Sequence, residues 1–141
     1  DRDMVWVESA CKTYQPDVVI LDMGDKFART GGFARQDEAL KANAIHARQI
    51  AKAHECAIFY MSQLSADAEG KVYLNQAMME GSRTGKAAEA DLMLLIAKDS
   101  VKNPDNKEES PARHLNVVKN KLSGWHGLAS CELDYLTARY V

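Results

Sequence analysis

Cysteine is scarce in this chain, and its scarcity excludes two classes of scaffold. Cys11, Cys56 and Cys131 are far apart, odd in number and in no Cys-x-x-Cys pair. Neither a disulfide framework nor a zinc knuckle is indicated, and a reducing, cytosolic compartment is the simplest reading. Long apolar runs are also missing: Val18–Leu21 and Leu92–Ala97 are the longest, far short of the roughly 18 residues that a membrane span needs. No basic stretch followed by an apolar one opens the chain, so no signal peptide is visible. Cations are not in excess, with 18 Lys and Arg against 20 Asp and Glu, a net charge of −2. That excludes a uniformly basic nucleic-acid binder and leaves any grip on phosphates to local clusters such as Lys26, Arg29 and Arg35. The four histidines, His46, His54, His114 and His126, show no metal-ligand spacing. No Gly-x-Ser-x-Gly elbow or Cys/His pairing speaks for nucleophilic catalysis. What is present is ordinary for a globular domain: 141 residues, 46% hydrophobic and 27% charged, enough for one core. The first residue is Asp rather than Met, which suits a piece of something longer.

The pattern along the chain predicts an α/β order. Met4–Gln15 carries apolar residues at helical spacing and stops at Pro16, because proline restricts the residue before it. Val18-Val19-Ile20-Leu21 is continuous, β-branched and apolar, which suits a strand covered on both faces, as in a parallel sheet. A loop with Gly31-Gly32 spans Gly24–Gln36. Asp37–Glu55, with Leu40, Ala44, Ala47 and Ala51 on one stripe, is the strongest helix. Ala57–Met61 follows as a second strand, completing a βαβ unit. Ser62–Gly81 reads as a long loop in which Val72-Tyr73-Leu74 could make a hairpin arm. A short helix over Arg83–Asp91, a third buried strand over Leu92–Ala97 and a solvated excursion over Lys98–Arg113 come next. His114–Lys119 and Leu128–Tyr135 are read as strands joined through a turn at Ser123–Gly127.

Asp22, directly after a buried strand, is where nucleotide hydrolases hold Mg²⁺ at the carboxyl edge of a sheet. A strand-terminating turn aspartate is an even alternative. Met61-Ser62-Gln63-Leu64 puts Gln63 at the same edge, where an amide can hydrogen-bond a γ-phosphate and report its loss; a plain strand-end glutamine is the other reading. Gly81-Ser82-Arg83-Thr84-Gly85-Lys86 is not a Walker A loop: three residues rather than four separate its glycines, Ala87 follows the lysine, and no strand precedes it. Lys119-Asn120-Lys121 spaces two cations on one side of an extended chain, either for a triphosphate or as ordinary surface lysines.

In this order, Pro16-Asp17-Val18-Val19-Ile20-Leu21-Asp22, Met61-Ser62-Gln63-Leu64, Gly81-Ser82 to Ala90-Asp91 and Val118-Lys119-Asn120-Lys121 resemble the C-terminal part of the RecA-like ATPase domain of DnaB-family replicative DNA helicases and their bacteriophage helicase-primase relatives. The likeness runs from about Val5 to Tyr140. It implies an α/β P-loop NTPase core over residues 1–141, from the Walker B strand onward. The sheet would be mostly parallel and flanked by helices, with antiparallel C-terminal strands and no Walker A segment. It implies ATP and Mg²⁺ as cofactors, with Asp22 holding the metal and Gln63 sensing the γ-phosphate. Lys119 and Lys121 would reach a neighbouring subunit's nucleotide; the family usually has arginine where Lys121 stands, and lysine cannot make a bidentate fork. Single-stranded DNA would lie on loops 24–36, 64–80 and 98–113, with Lys26, Arg29, Arg35 and Lys71 as contacts and a steep salt dependence. The complete protein would be a hexameric ring in the cytoplasm, of a bacterial host if phage-encoded. The Walker A half would lie upstream or on a separate chain, and this piece alone would not hydrolyse ATP. A recombinase-type RecA-like ATPase and a non-catalytic module that binds DNA or a helicase are the alternatives.

Overall fold

The computed structural model describes residues 2–28, 35–81, 85–98 and 110–141. They form two compact units, one of Asp1–Leu64 with Met79–Ala90 and one of Ser65–Met78 with Asp91–Val141.

The first unit opens on α1, Met4–Tyr14. The Asp3 side chain starts it by accepting from the Trp6 N–H at 2.9 Å, which satisfies one of the free amides of the first turn. Gln15 ends it in the left-handed conformation. Strand β1, Val18–Leu21, pairs in parallel with β2, Ala57–Tyr60, in the register Val18↔Ala57 to Leu21↔Tyr60. The helix between them, α2, spans Gln36–Ala53. Its Ala47 and Ile50 join Met4, Val7, Cys11 and Leu21 in the buried core, with Val19, Ile58 and Tyr60 against it. These are the three- and four-residue spacings of a single helix face. A short helix α3, Gly85–Glu89, is tied to α2 by Arg48, which donates to the Glu89 carbonyl.

Among the described residues of this unit, only one face of the β1–β2 pair is covered. Strand side chains alternate between faces, and the bare face carries Val18 (52% exposed), Ile20 (62%) and Phe59 (58%) beside Ala57. The continuous apolar run had implied burial on both faces; nothing among the described residues of this unit supplies the second cover.

The second unit is a four-stranded antiparallel sheet in the order β3-β4-β5-β6: Leu92–Lys98, Ala112–Asn120, Gly127–Asp134 and Arg139–Tyr140. Strand β3 alternates rather than being buried throughout, with Met93, Leu95 and Ala97 inward and Leu92, Leu94 and Ile96 half-exposed. Residues 72–74 make no strand; the expected hairpin arm is instead an irregular segment between the 3₁₀ turns Ala66–Ala68 and Gln76–Met78. Of the short helix expected over Arg83–Asp91, Gly85–Glu89 is helical among the described residues, and residues 82–84 lie outside them.

Candidate functional site

Parallel pairing brings two chain ends to one edge. Beyond the last register pair, the Met61 N–H donates to the Leu21 carbonyl at 3.1 Å, and the Gly24 N–H donates to the Met61 carbonyl at 2.9 Å. Asp22 follows β1 and Gln63 stands three residues beyond β2, so both lie at the carboxyl edge of the parallel pair. Both are exposed, and neither side chain has a hydrogen bond or ion pair among the described residues. In open α/β sheets this edge is where ligands bind.

Behind this edge sits a polar cluster that no sequence motif marks. Asp25, in the 3₁₀ turn Gly24–Lys26, accepts from Ser62 Oγ at 2.5 Å, from Lys86 Nζ at 2.9 Å and from Tyr60 Oη at 3.3 Å. Lys86 Nζ also donates to Ser62 Oγ at 2.7 Å. The Lys86 side chain is 3% exposed and that of Asp25 16%. A buried ammonium persists only when paired and hydrogen-bonded, and here one cation ties the loop after β1 to the residue before Gln63. Burial first, then the Asp25 carboxylate beside it, raise the pKa of the Tyr60 phenol. Gly24 lets the ring lie close: a β-carbon there would stand 2.6 Å from Tyr60 Cζ.

The segment Gly81–Lys86, set aside as a phosphate loop, thus contributes through its lysine. Lys86 is 61 residues from Asp25 in sequence, and no local pattern pairs them. The signals that were present were Asp25 three residues after Asp22 and Ser62 beside Gln63.

The remaining predicted residues belong to both units. Lys26 is exposed at the end of the 3₁₀ turn that follows Asp22. Arg35 is exposed, but its guanidinium forks onto Asp37 through two 3.0 Å bonds. Arg29 lies outside the described residues, as do residues 99–109 of the third expected DNA loop. In the second unit, Lys71 is exposed. Lys119 is in β4, while Lys121 lies past its end and pairs with Asp91 at 3.4 Å. A charge engaged at that distance on an exposed surface remains available, since such pairs are worth little. Among the histidines, His46 pairs with Glu8 at 3.1 Å and His114 with Ser130 at 2.9 Å.

Among the described residues no cluster of three or more His, Cys, Asp or Glu could hold a metal. No helix among them is long and apolar enough to cross a membrane. All three cysteines are free.

No protein-family profile matches the sequence, and no curated protein does. Solved structures do match. A helicase ATPase domain superposes with a TM-score of 0.82 at 15% identity over 99% of this chain. A DnaB-like replicative helicase, described with its interactions with primase, superposes with the same TM-score of 0.82, at 15% identity over 99% of this chain. The chain spans 51% of the first structure and 36% of the second. At this identity the likeness establishes the fold, an α/β arrangement with a parallel pair and antiparallel strands of the kind found in replicative-helicase ATPase domains.

Proposed function

We propose that this chain is the C-terminal half of a RecA-like helicase motor, one that couples ATP hydrolysis to movement along single-stranded DNA. The observation that carries the reading is the carboxyl edge of β1 and β2, where Asp22 and Gln63 stand exposed and unpaired among the described residues while Lys86, Asp25 and Ser62 fix the loops that bear them. The residues fit the cofactor. Mg²⁺ is typically held by one or two carboxylates together with nucleotide phosphates and water rather than by a protein cage. A lone free aspartate at a strand end therefore suffices without a three-carboxylate cluster. Asp22 would hold Mg²⁺, whose charge offsets that developing on the phosphates. The Gln63 amide would donate a hydrogen bond to the γ-phosphate and so register its presence or absence. Lys119 and Lys121 supply cations toward a neighbouring subunit's nucleotide, as point charges rather than a fork. Lys26, Arg29, Arg35 and Lys71 hold the phosphates of a single strand within a ring of like subunits.

The bare face of Val18, Ile20, Ala57 and Phe59 takes the rest of the ATPase domain, supplied in the same polypeptide or by a separate chain. Parallel strands are ordinarily covered on both faces. The helicase ATPase domain that matches this chain is about twice its length and contains the same fold. That further part would carry the phosphate-binding loop, so the 141-residue piece by itself is not expected to turn over ATP.

The test is ATP turnover by the domain completed with that segment, with and without single-stranded DNA. Mg²⁺-dependent turnover that DNA accelerates is expected. No turnover in the completed domain would leave the non-catalytic reading, a module that binds DNA or a helicase subunit.

A further inference from the structure

Residues 72–76 form no strand, yet side chains lay them along β4. Asn116, buried in the middle of β4, accepts at Oδ1 from the Leu74 N–H at 3.1 Å. Its Nδ2 donates to the Val72 carbonyl at 3.0 Å and to the His114 carbonyl at 3.3 Å. Its acceptor and both donor hydrogens are therefore in use. Two residues on, the Val118 carbonyl accepts from Gln76 Nε2 at 3.1 Å. Val72 and Leu74 meet position 116, and Gln76 meets 118, so side-chain bonds replace the main-chain ladder of a strand. Leu74 is buried, whereas Lys71 and Tyr73 face solvent. The segment is a strap: its inner side is clamped to β4, and its outer side presents a cation and an aromatic ring.

The clamp ends beside the candidate nucleotide-contacting lysines. Val118 precedes Lys119, and Lys121 follows two residues later. An apolar residue at 116 would fill the sheet face without the cost of burying an amide. The amide adds registry: the strap cannot slide along β4 without breaking the bonds at Val72, Leu74 and Gln76.

We infer that Asn116, assisted by Gln76, is a positioning residue that couples the strap to the lysine-bearing end of β4. A single strand of nucleic acid held at Lys71 thereby biases the placement of Lys119 and Lys121. Nucleotide at those lysines biases the strap by the same free energy, because such coupling is reciprocal. This inference rests on the motor reading above.

The test compares wild type, Asn116→Leu and the milder Gln76→Leu in the completed domain. ATP turnover is measured with and without an oligo-dT strand, and hydrogen exchange is followed at the Leu74 amide. Wild type is expected to be accelerated by the oligonucleotide. Asn116→Leu should keep its basal turnover, exchange the Leu74 amide faster and lose the acceleration by about five-fold or more. Gln76→Leu should show a smaller loss in the same direction, which covers the case of an unfolded Asn116 variant. Two results overturn the inference while leaving the motor intact: wild-type acceleration in both variants despite faster exchange, or basal and accelerated rates falling in equal proportion. Absence of turnover in wild type overturns the motor reading itself, and the coupling with it.

Discussion

Replacing Lys86 by methionine removes the cation that Asp25 contacts while nearly conserving side-chain volume. Asp25 would keep its bonds to Ser62 and Tyr60 but stand as an uncompensated, largely buried carboxylate. Breaking such a pair from one side costs about 3–5 kcal/mol. With Lys86 3% and Asp25 16% exposed, solvent screening removes little of this, and we expect about 3 kcal/mol. A domain is stable by only about 5–15 kcal/mol, so the variant should be visibly weakened. The double variant Asp25→Asn/Lys86→Met removes both charges, and an apolar or neutral replacement of a whole buried pair is close to neutral. It should recover about 2 kcal/mol relative to Lys86→Met, giving a coupling energy well above the roughly 0.5 kcal/mol seen for independent sites. Urea unfolding of the four proteins of the cycle, followed by far-ultraviolet circular dichroism, measures this. A double variant no more stable than Lys86→Met, or a loss below about 1 kcal/mol in the single variant, would show that the pair does not act as a buried ion pair.

Gly24→Ala should destabilise the same edge by about 1–3 kcal/mol, because its β-carbon would meet the Tyr60 ring at 2.6 Å; unchanged urea stability would contradict the close approach. The raised Tyr60 pKa sets a direction with pH. Above about pH 10 the unfolded phenol ionises while the folded one stays protonated, so stability should fall as pH rises, and Tyr60→Phe should flatten that fall. A slope unchanged in Tyr60→Phe would count against this linkage. Burial first, then the neighbouring Cys56 thiol, then Glu8 raise the Cys11 thiol pKa. Iodoacetamide should therefore modify Cys131 before Cys11 in the folded protein and both alike in urea; equal rates in the folded state, read by peptide mass spectrometry, would refute the burial.

Elements with a local cause were legible in the sequence. The Leu40–Ala44–Ala47 stripe marks α2 because helical periodicity needs no partner to be read, and Pro16 places the end of α1 for the same local reason. The edge shared by Asp22 and Gln63 followed from strand order alone. Facing was less legible. Val18–Leu21 and Leu92–Ala97 are apolar at every position, so nothing in them distinguishes a strand covered on one face from one covered on two. Least legible were contacts across long separations: Lys86 with Asp25, and Asn116 with residues 72 and 74, depend on how distant elements pack. Lys86 looked like a failed phosphate loop, and Asn116 like one polar residue in a strand.

The proposed nucleotide site is tested most directly at Asp22. In the domain completed with the segment proposed to cover β1 and β2, Mg²⁺-dependent ATP turnover is to be compared between wild type and Asp22→Asn, with oligo-dT binding measured on the same preparations. Turnover should be abolished while DNA binding stays largely intact. Turnover at the wild-type rate in Asp22→Asn would contradict the assignment of the metal to this strand end, and with it the nucleotide site.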